Sequence, residues 1–141
     1  MTPQTQLFQH NPPETYGDCF RTALASLLNM NRDDVPHFFG SEDGDWIDVD
    51  KWLSAHGFAH FTIPFAGSLQ DVLYTMKTQN PDIYYLISGG SPRGFNHQCI
   101  AVNDEIICDP APDGGGLIGP NSDGYIWVGV LLPASIHKLQ K

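Results

Sequence analysis

The hydrophobic pattern changes character along the chain, and this change constrains the fold more than any other feature of the sequence. Apolar residues recur at helical spacing in three segments, which are 19–28, 46–56 and 69–79. Five short runs have the character of strands; they are 58–63, 83–88, 97–102, 105–109 and 125–132. Helices followed mostly by a β-meander predict an α+β fold, with the helices packed on one side of an antiparallel sheet.

Size and composition predict one domain over residues 1–141. The 141 residues are 41% hydrophobic, which suffices for one compact core. No apolar run approaches the roughly 20 residues that cross a bilayer, and the N-terminal residues lack the basic start and apolar centre of a secretory signal. The 3 cysteines are an odd number and do not suggest a disulfide framework. We therefore expect a reduced, cytoplasmic protein without a membrane partner.

The charge balance argues against binding to nucleic acid. The chain has 7 Lys and Arg against 16 Asp and Glu, a formal net charge of −9. Such a chain repels phosphate backbones, and its few basic residues are scattered along the sequence. The charge favours solubility, but it identifies neither a partner nor an oligomeric state.

The first predicted helix begins at Cys19, directly after Asp18, a residue type that caps helices. The free amides and the dipole at a helix N-terminus stabilise a thiolate, which is the reactive form of cysteine. Cys19 is therefore a candidate nucleophile, although a free cysteine is more often a small buried residue. The Asp18 carboxylate opposes a thiolate unless it turns away to cap the helix.

Two further helices are predicted from their apolar stripes. In the second, Trp46, Val49, Trp52 and Leu53 share one face, so we expect both tryptophans in the core and assign them no ligand. In the third, Ser68 is the expected N-cap. The histidines without an evident partner are expected to be structural or exposed; they are His10, His37, His56, His60 and His137.

A predicted hairpin brings a histidine and a carboxylate together. Its turn is Asn103-Asp104, and pairing Val102 with Glu105 would set His97 opposite residues 108–110. The His97 imidazole and the Asp109 carboxylate would then emerge side by side at one end of the sheet. A carboxylate in that position orients a histidine while the other ring nitrogen faces a nucleophile.

Six stretches carry a resemblance to a known family: PQT, GDCFRTALASLL, DDVPHF, WLSAHGF, ISGGSPRGFNHQCIAV and CDPAPDGGGL. Together they resemble a group of small bacterial and phage proteins with a papain-like or peptidase C39-like fold, most of them uncharacterised. The group often has a histidine on either side of the Asp-Pro pair, where this chain has Cys108 and Ala111. The resemblance extends over nearly the whole chain and implies a papain-like cysteine hydrolase.

The resemblance also implies roles for individual residues. Cys19 would be the nucleophile, His97 the general base and acid, and Asp109 the carboxylate that orients the histidine. In papain-like enzymes a glutamine ahead of the cysteine forms the oxyanion hole with the amide of the cysteine itself. Gln4 fits this pattern best, and Gln6 and Gln9 are the alternatives.

The expected reaction is cleavage or transfer at an amide, isopeptide or thioester bond, through a thioester acyl-enzyme and without a cofactor. The substrate would be a peptide, a protein or a small amide. In the loop before His97, Arg93 could pair with a substrate carboxylate or phosphate, and Gly94 permits close backbone approach.

Two alternatives come from other functional classes. His97 and Cys99 point to one face of their strand, and with Cys19 and Cys108 they could form a zinc site, although the chain has no CxxC or HxxxH pair. The protein could also be a non-catalytic binding or inhibitor module on a papain-like scaffold, because a fold does not fix a function.

Overall fold

The computed structural model describes residues 1–139, and its three long helices begin where the sequence predicts. The helices are α1 (Cys19–Leu28), α2 (Trp46–Ala55), α3 (Leu69–Gln79) and the short α4 (Ala134–His137), with a 3₁₀ turn at Arg32–Asp34. Ser68 caps α3 as expected, because its hydroxyl accepts a hydrogen bond from the Asp71 amide at 3.1 Å. Among residues 1–139, no helix is long and apolar enough to cross a membrane.

The sheet has five antiparallel strands in the order β1-β5-β2-β3-β4. Strands β2, β3 and β4 form a meander, and β5 returns to lie between β1 and β2. The strand bounds are β1 Phe58–Phe65, β2 Tyr84–Gly90, β3 Asn96–Val102, β4 Glu105–Cys108 and β5 Ile126–Pro133. Helices and an antiparallel sheet make this an α+β protein.

Helices pack on both faces of the sheet, which corrects the expectation that they cover one side. The cluster under α1 and α2 contains Phe20, Ala23, Leu24, Ala25, Val35, Val49, Leu53, Leu86, Ile100 and Cys108. The cluster under α3 contains Val72, Met76, Tyr85, Ile87, Cys99, Ala101, Leu117, Ile126 and Val128. Adjacent strand residues fall in different clusters because side chains alternate across a strand.

The β3–β4 hairpin forms at the predicted turn but in a shifted register. Val102 pairs with Glu105 as expected, and Asn103 has a φ of 53°, which its short polar side chain tolerates. An irregularity between Ile100 and Ala101 then sets Cys108 opposite Ile100. The ladder therefore ends before it reaches His97, and the chain after Cys108 is free to turn toward the histidine.

Candidate active site

Cys19 and His97 line the same cleft, which has a volume of about 1380 Å³. The N-terminus of α1 and the start of β3 contribute these two residues. Residues 6–11 form another side of the cleft, and the loop before β3 supplies Arg93 and Gly94. Residues that are far apart in the sequence therefore share one solvent-filled space.

Cys19 is half-buried and opens α1. The first amide of the helix with a backbone partner is that of Thr22, which donates to the Asp18 carbonyl at 3.1 Å. Among residues 1–139, the amides of Cys19, Phe20 and Arg21 have no hydrogen-bond acceptor, as is usual for an uncapped first turn. These donors and the helix dipole favour negative charge beside the Cys19 sulfur.

Asp18 occupies the N-cap position, but its side chain does not cap the helix, which corrects the sequence prediction. The carboxylate is buried and accepts hydrogen bonds from the Phe8 amide at 2.8 Å and the Leu7 amide at 3.2 Å. It also forms an ion pair with the Arg21 side chain at 2.9 Å. Asp18 therefore holds the N-terminal segment beside the cleft, and Arg21 balances its negative charge.

His97 and Asp109 are hydrogen bonded, with 2.6 Å between Nε2 and Oδ1. The amides of Ala111, at 2.9 Å, and Gly116, at 2.7 Å, also donate to this carboxylate. Burial raises the pKa of Asp109, but these hydrogen bonds outweigh burial and lower the pKa to about 2. The carboxylate is therefore ionised at neutral pH and its orientation is fixed by three donors.

The His97 ring is buried, is hydrogen bonded to the Asp109 carboxylate and lines the same cleft as Cys19. Burial alone would lower the pKa of His97, but hydrogen bonds to Asp109 and Cys19 outweigh it and raise the pKa above the usual value. Because Nε2 is used by Asp109, proton exchange with Cys19 would fall to Nδ1. His97 and Asp109 therefore form a hydrogen-bonded pair at the cleft that Cys19 also lines.

Comparisons with protein-family models, with curated proteins and with solved structures gave no match to this chain. The geometry of the site therefore carries the functional argument.

Gln4 lies outside the cleft, which corrects its assignment to the oxyanion hole. Its side-chain amide donates to the Met30 carbonyl at 2.6 Å, and its side-chain carbonyl accepts from the Arg32 amide at 2.9 Å. Both ends of the carboxamide are thus occupied by backbone groups. Gln4 ties the N-terminal segment to the chain that follows α1.

Three other glutamines line the cleft: Gln6, Gln9 and Gln98. The Gln6 amide nitrogen already donates to the Phe8 carbonyl at 2.7 Å, whereas its buried oxygen has no partner among residues 1–139. Gln98 is also buried, and its carboxamide makes no hydrogen bond within the described part of the chain. Gln98 was not predicted as a site residue, because it follows His97 on a strand whose side chains alternate between faces.

Arg93 and Gly94 line the cleft, as expected for residues that contact a substrate. Arg93 is not a free cation, because its guanidinium lies 2.7 Å from the Asp113 carboxylate, another residue of the cleft. Gly94 has a φ of +88°, a conformation that favours glycine. The ion pair between Arg93 and Asp113 lines part of the cleft and reduces the attraction of Arg93 for an anion.

The residues near His97 were also tested as metal ligands. The group whose donor atoms all lie within 4.8 Å is His97, Cys99 and Asp109, which differs from the set expected from sequence. Its His–Asp contact is a short hydrogen bond, and burial raises the pKa of the Cys99 thiol, although zinc requires a thiolate. This donor set fits an orienting network better than it fits zinc.

Two residues of the cleft were assigned no role from sequence. His10 accepts a hydrogen bond from the Gly17 amide on Nδ1 at 3.1 Å, and burial lowers its pKa, so its neutral ring has the proton on Nε2. Trp46 is 54% exposed and lines the cleft, which corrects its assignment to the core. Trp52 is half-buried against the α1–α2 cluster, in partial agreement with the prediction.

Proposed function

We propose that this protein is a cysteine hydrolase or acyltransferase that acts on an amide, isopeptide or thioester bond. The observation that carries the proposal is the His97 ring, which is hydrogen bonded to Asp109 and lines the same open cleft as Cys19. A nucleophile, a base and a group that orients the base are the parts that covalent acyl transfer requires.

The reaction follows from these positions. The Cys19 thiolate attacks the carbonyl carbon of the substrate, and the carbonyl oxygen becomes an oxyanion. The His97 imidazolium gives its proton to the leaving group, the bond to that group breaks, and a thioester remains on Cys19. His97 then takes a proton from water or an acceptor amine, which attacks the thioester and releases the acyl group. Asp109 holds the ring in place and stabilises its protonated form.

The oxyanion needs at least two hydrogen-bond donors. The uncapped Cys19 amide is the first, because a helix N-terminus directs its free N–H groups outward. Gln98 and Gln9 are our candidates for the second, because both line the cleft and neither carboxamide has a partner in residues 1–139. Gln6 could serve only after releasing the Phe8 carbonyl.

The proposal includes a papain-like arrangement of the fold. The nucleophile begins a helix that packs on the sheet, the histidine follows on a strand, and the carboxylate comes last in the chain. This order supports the resemblance noted in the sequence. We favour a narrow substrate such as a peptide end, an isopeptide or a small amide.

The proposal is tested by acylation with p-nitrophenyl acetate, whose phenolate is a good leaving group. We expect a burst of p-nitrophenolate at pH 7 and one acetyl group on the peptide that contains Cys19, detected by mass spectrometry. Cys19→Ala should lose both signals. The Cys108→Ala variant is the matched control, because Cys108 is buried in the α1–α2 cluster and does not line the cleft, and it should retain acylation of Cys19.

The same variants separate an enzyme from a binding module. A module that acts by stoichiometric contact has no need for an acylated Cys19, so unmodified Cys19 in the wild-type protein would contradict the proposal. Acetyl groups distributed over lysines, with none on Cys19, would contradict it equally.

A further inference from the structure

An aromatic wall stands beside Cys19 in the cleft, and it consists of Phe20, Phe39 and Trp46. The ring centroids of Phe20 and Trp46 are 5.1 Å apart, those of Phe39 and Trp46 are 4.9 Å apart, and those of Phe20 and Phe39 are 5.8 Å apart. All three residues line the cleft. Phe20 follows Cys19 directly in α1, and both residues line the cleft.

Trp46 presents the open surface of this wall. It is 54% exposed, whereas Phe20 behind it is 7% exposed. A large ring that is supported by two others on one side and open to a cleft on the other can bury a further apolar group without rearrangement. Gly44 allows the loop to hold Phe39 against Trp46, because a Cβ there would lie 2.7 Å from the Phe39 ring.

The group behind the wall carries no charge at neutral pH. His60 contacts both Phe20, at 6.2 Å between ring centroids, and Trp46, at 5.9 Å. Burial lowers the pKa of His60, so its ring is neutral. His60 therefore adds no positive charge behind the aromatic wall.

We propose that the aromatic wall is a specificity subsite that binds an aromatic or bulky aliphatic side chain on the acyl side of the bond that Cys19 attacks. The subsite rests on the proposed function, since it is defined relative to Cys19. His97 must lie against the leaving group to protonate it, and His97 belongs to the sheet. The acyl side then faces the wall contributed by α1 and α2.

The experiment uses four irreversible probes of Cys19: N-acetyl-phenylalanyl and N-acetyl-alanyl chloromethyl ketone, and the two analogues with glycine inserted before the ketone. The thiolate displaces chloride, so that an S–C bond forms and a C–Cl bond breaks. We expect at least one phenylalanine probe to inactivate Cys19 about tenfold faster than its alanine counterpart. Burial of one additional apolar side chain gives a rate difference of about this size.

Three variants make the test specific for the wall. Trp46→Ala should abolish the preference for phenylalanine, and Trp46→Phe should restore most of it. Ile47→Ala is the matched control, because Ile47 is 60% exposed on the same helix but does not line the cleft. It should retain the full preference.

Iodoacetamide, which has no side chain, separates the two proposals. Rapid alkylation of Cys19 in every variant, together with equal rates for phenylalanine and alanine probes in the wild type, would overturn the subsite and leave the proposed function intact. Slow alkylation, no faster than that of N-acetylcysteine at pH 6, would instead count against the proposed function.

Discussion

The N-termini of the three long helices differ in how their free amides are used. In α2 the Asp45 carboxylate accepts from the Ile47 amide at 2.9 Å, and in α3 the Ser68 hydroxyl accepts from the Asp71 amide at 3.1 Å. In α1 the residue at the same position is Asp18, and its carboxylate caps nothing within residues 1–139. The one long helix that begins with a cysteine is thus the one whose first turn is left open.

This difference indicates a site. An aspartate next to a helix start normally satisfies that start, since capping is worth about 1 kcal/mol. Asp18 instead binds the segment that forms one side of the cleft and pairs with Arg21. A local rule that is broken beside a cleft lined by a cysteine and a carboxylate-bonded histidine is the pattern expected of a functional site.

The largest expected effect is on the alkylation rate of the Cys19 thiol, which lies at the open N-terminus of α1. Replacing His97 with Ala should slow alkylation of Cys19 by iodoacetamide at pH 6 about 100-fold, because an ordinary thiol is almost entirely protonated there. Mass spectrometry of the peptide that contains Cys19 gives the rate. His56→Ala, an exposed histidine at the end of α2, is the control. Equal rates in wild type and His97→Ala would mean that the imidazole does not activate the sulfur.

A second test compares Asp18 and Asp45, which occupy the N-cap positions of α1 and α2. Asp18→Ala should lower the free energy of unfolding by about 3 kcal/mol, because it leaves the buried Arg21 without its partner. Asp45→Ala removes an exposed cap and should cost about 1 kcal/mol. Urea denaturation measures both values. Equal costs would mean that Asp18 acts as an ordinary cap.

The smallest effect is the pH dependence of stability. The pKa of Asp109 is lowered to about 2 in the folded protein, so its contribution is present above the unfolded value of about 4 and is lost as the pH falls toward 2. The pKa of His97 is raised, so its contribution is full below about pH 6.5 and is lost as the pH rises through the folded value. The pair therefore stabilises the fold most between about pH 4 and 6.5.

Urea denaturation from pH 5 to pH 2 checks the acid limb of this prediction. Asp109→Asn should flatten the loss of stability by on the order of 1 kcal/mol, allowing for partial solvent screening. Asp104→Asn, in the exposed pair with Lys77, is the control and should leave the slope nearly unchanged. An unaltered slope in Asp109→Asn would contradict the ionised hydrogen bond to His97.

Local patterns gave reliable predictions where neighbouring residues decide the outcome. Helix α1 has the predicted bounds, Ser68 caps α3, and Val102 pairs with Glu105 across the predicted turn. The proximity of His97 and Asp109 follows from that hairpin, although a shifted register changes the route by which they meet. Each of these features depends on contacts over a few residues or across one turn.

Predictions were wrong where the answer depended on distant partners. Gln4 was expected in the cleft, but backbone groups 26 and 28 residues away hold its carboxamide elsewhere. Trp46 has helical spacing with buried residues, yet its place in the first turn of α2 leaves it over the cleft. The stripe of α3 is amphipathic as predicted, but such a stripe does not specify which face of the sheet it covers.

The sequence by itself determined the types of the elements, the start of α1 at Cys19 and the turn that leads from His97 toward Asp109, because periodicity, capping and turn chemistry act over short stretches of chain. Only the tertiary structure decided that Asp18 leaves the helix end open, that Gln98 rather than Gln4 lines the cleft, and that Trp46 faces it. Those outcomes depend on donors, acceptors and aromatic rings that are distant in the sequence and come into contact only on folding. The local sequence pattern does not specify these long-range contacts.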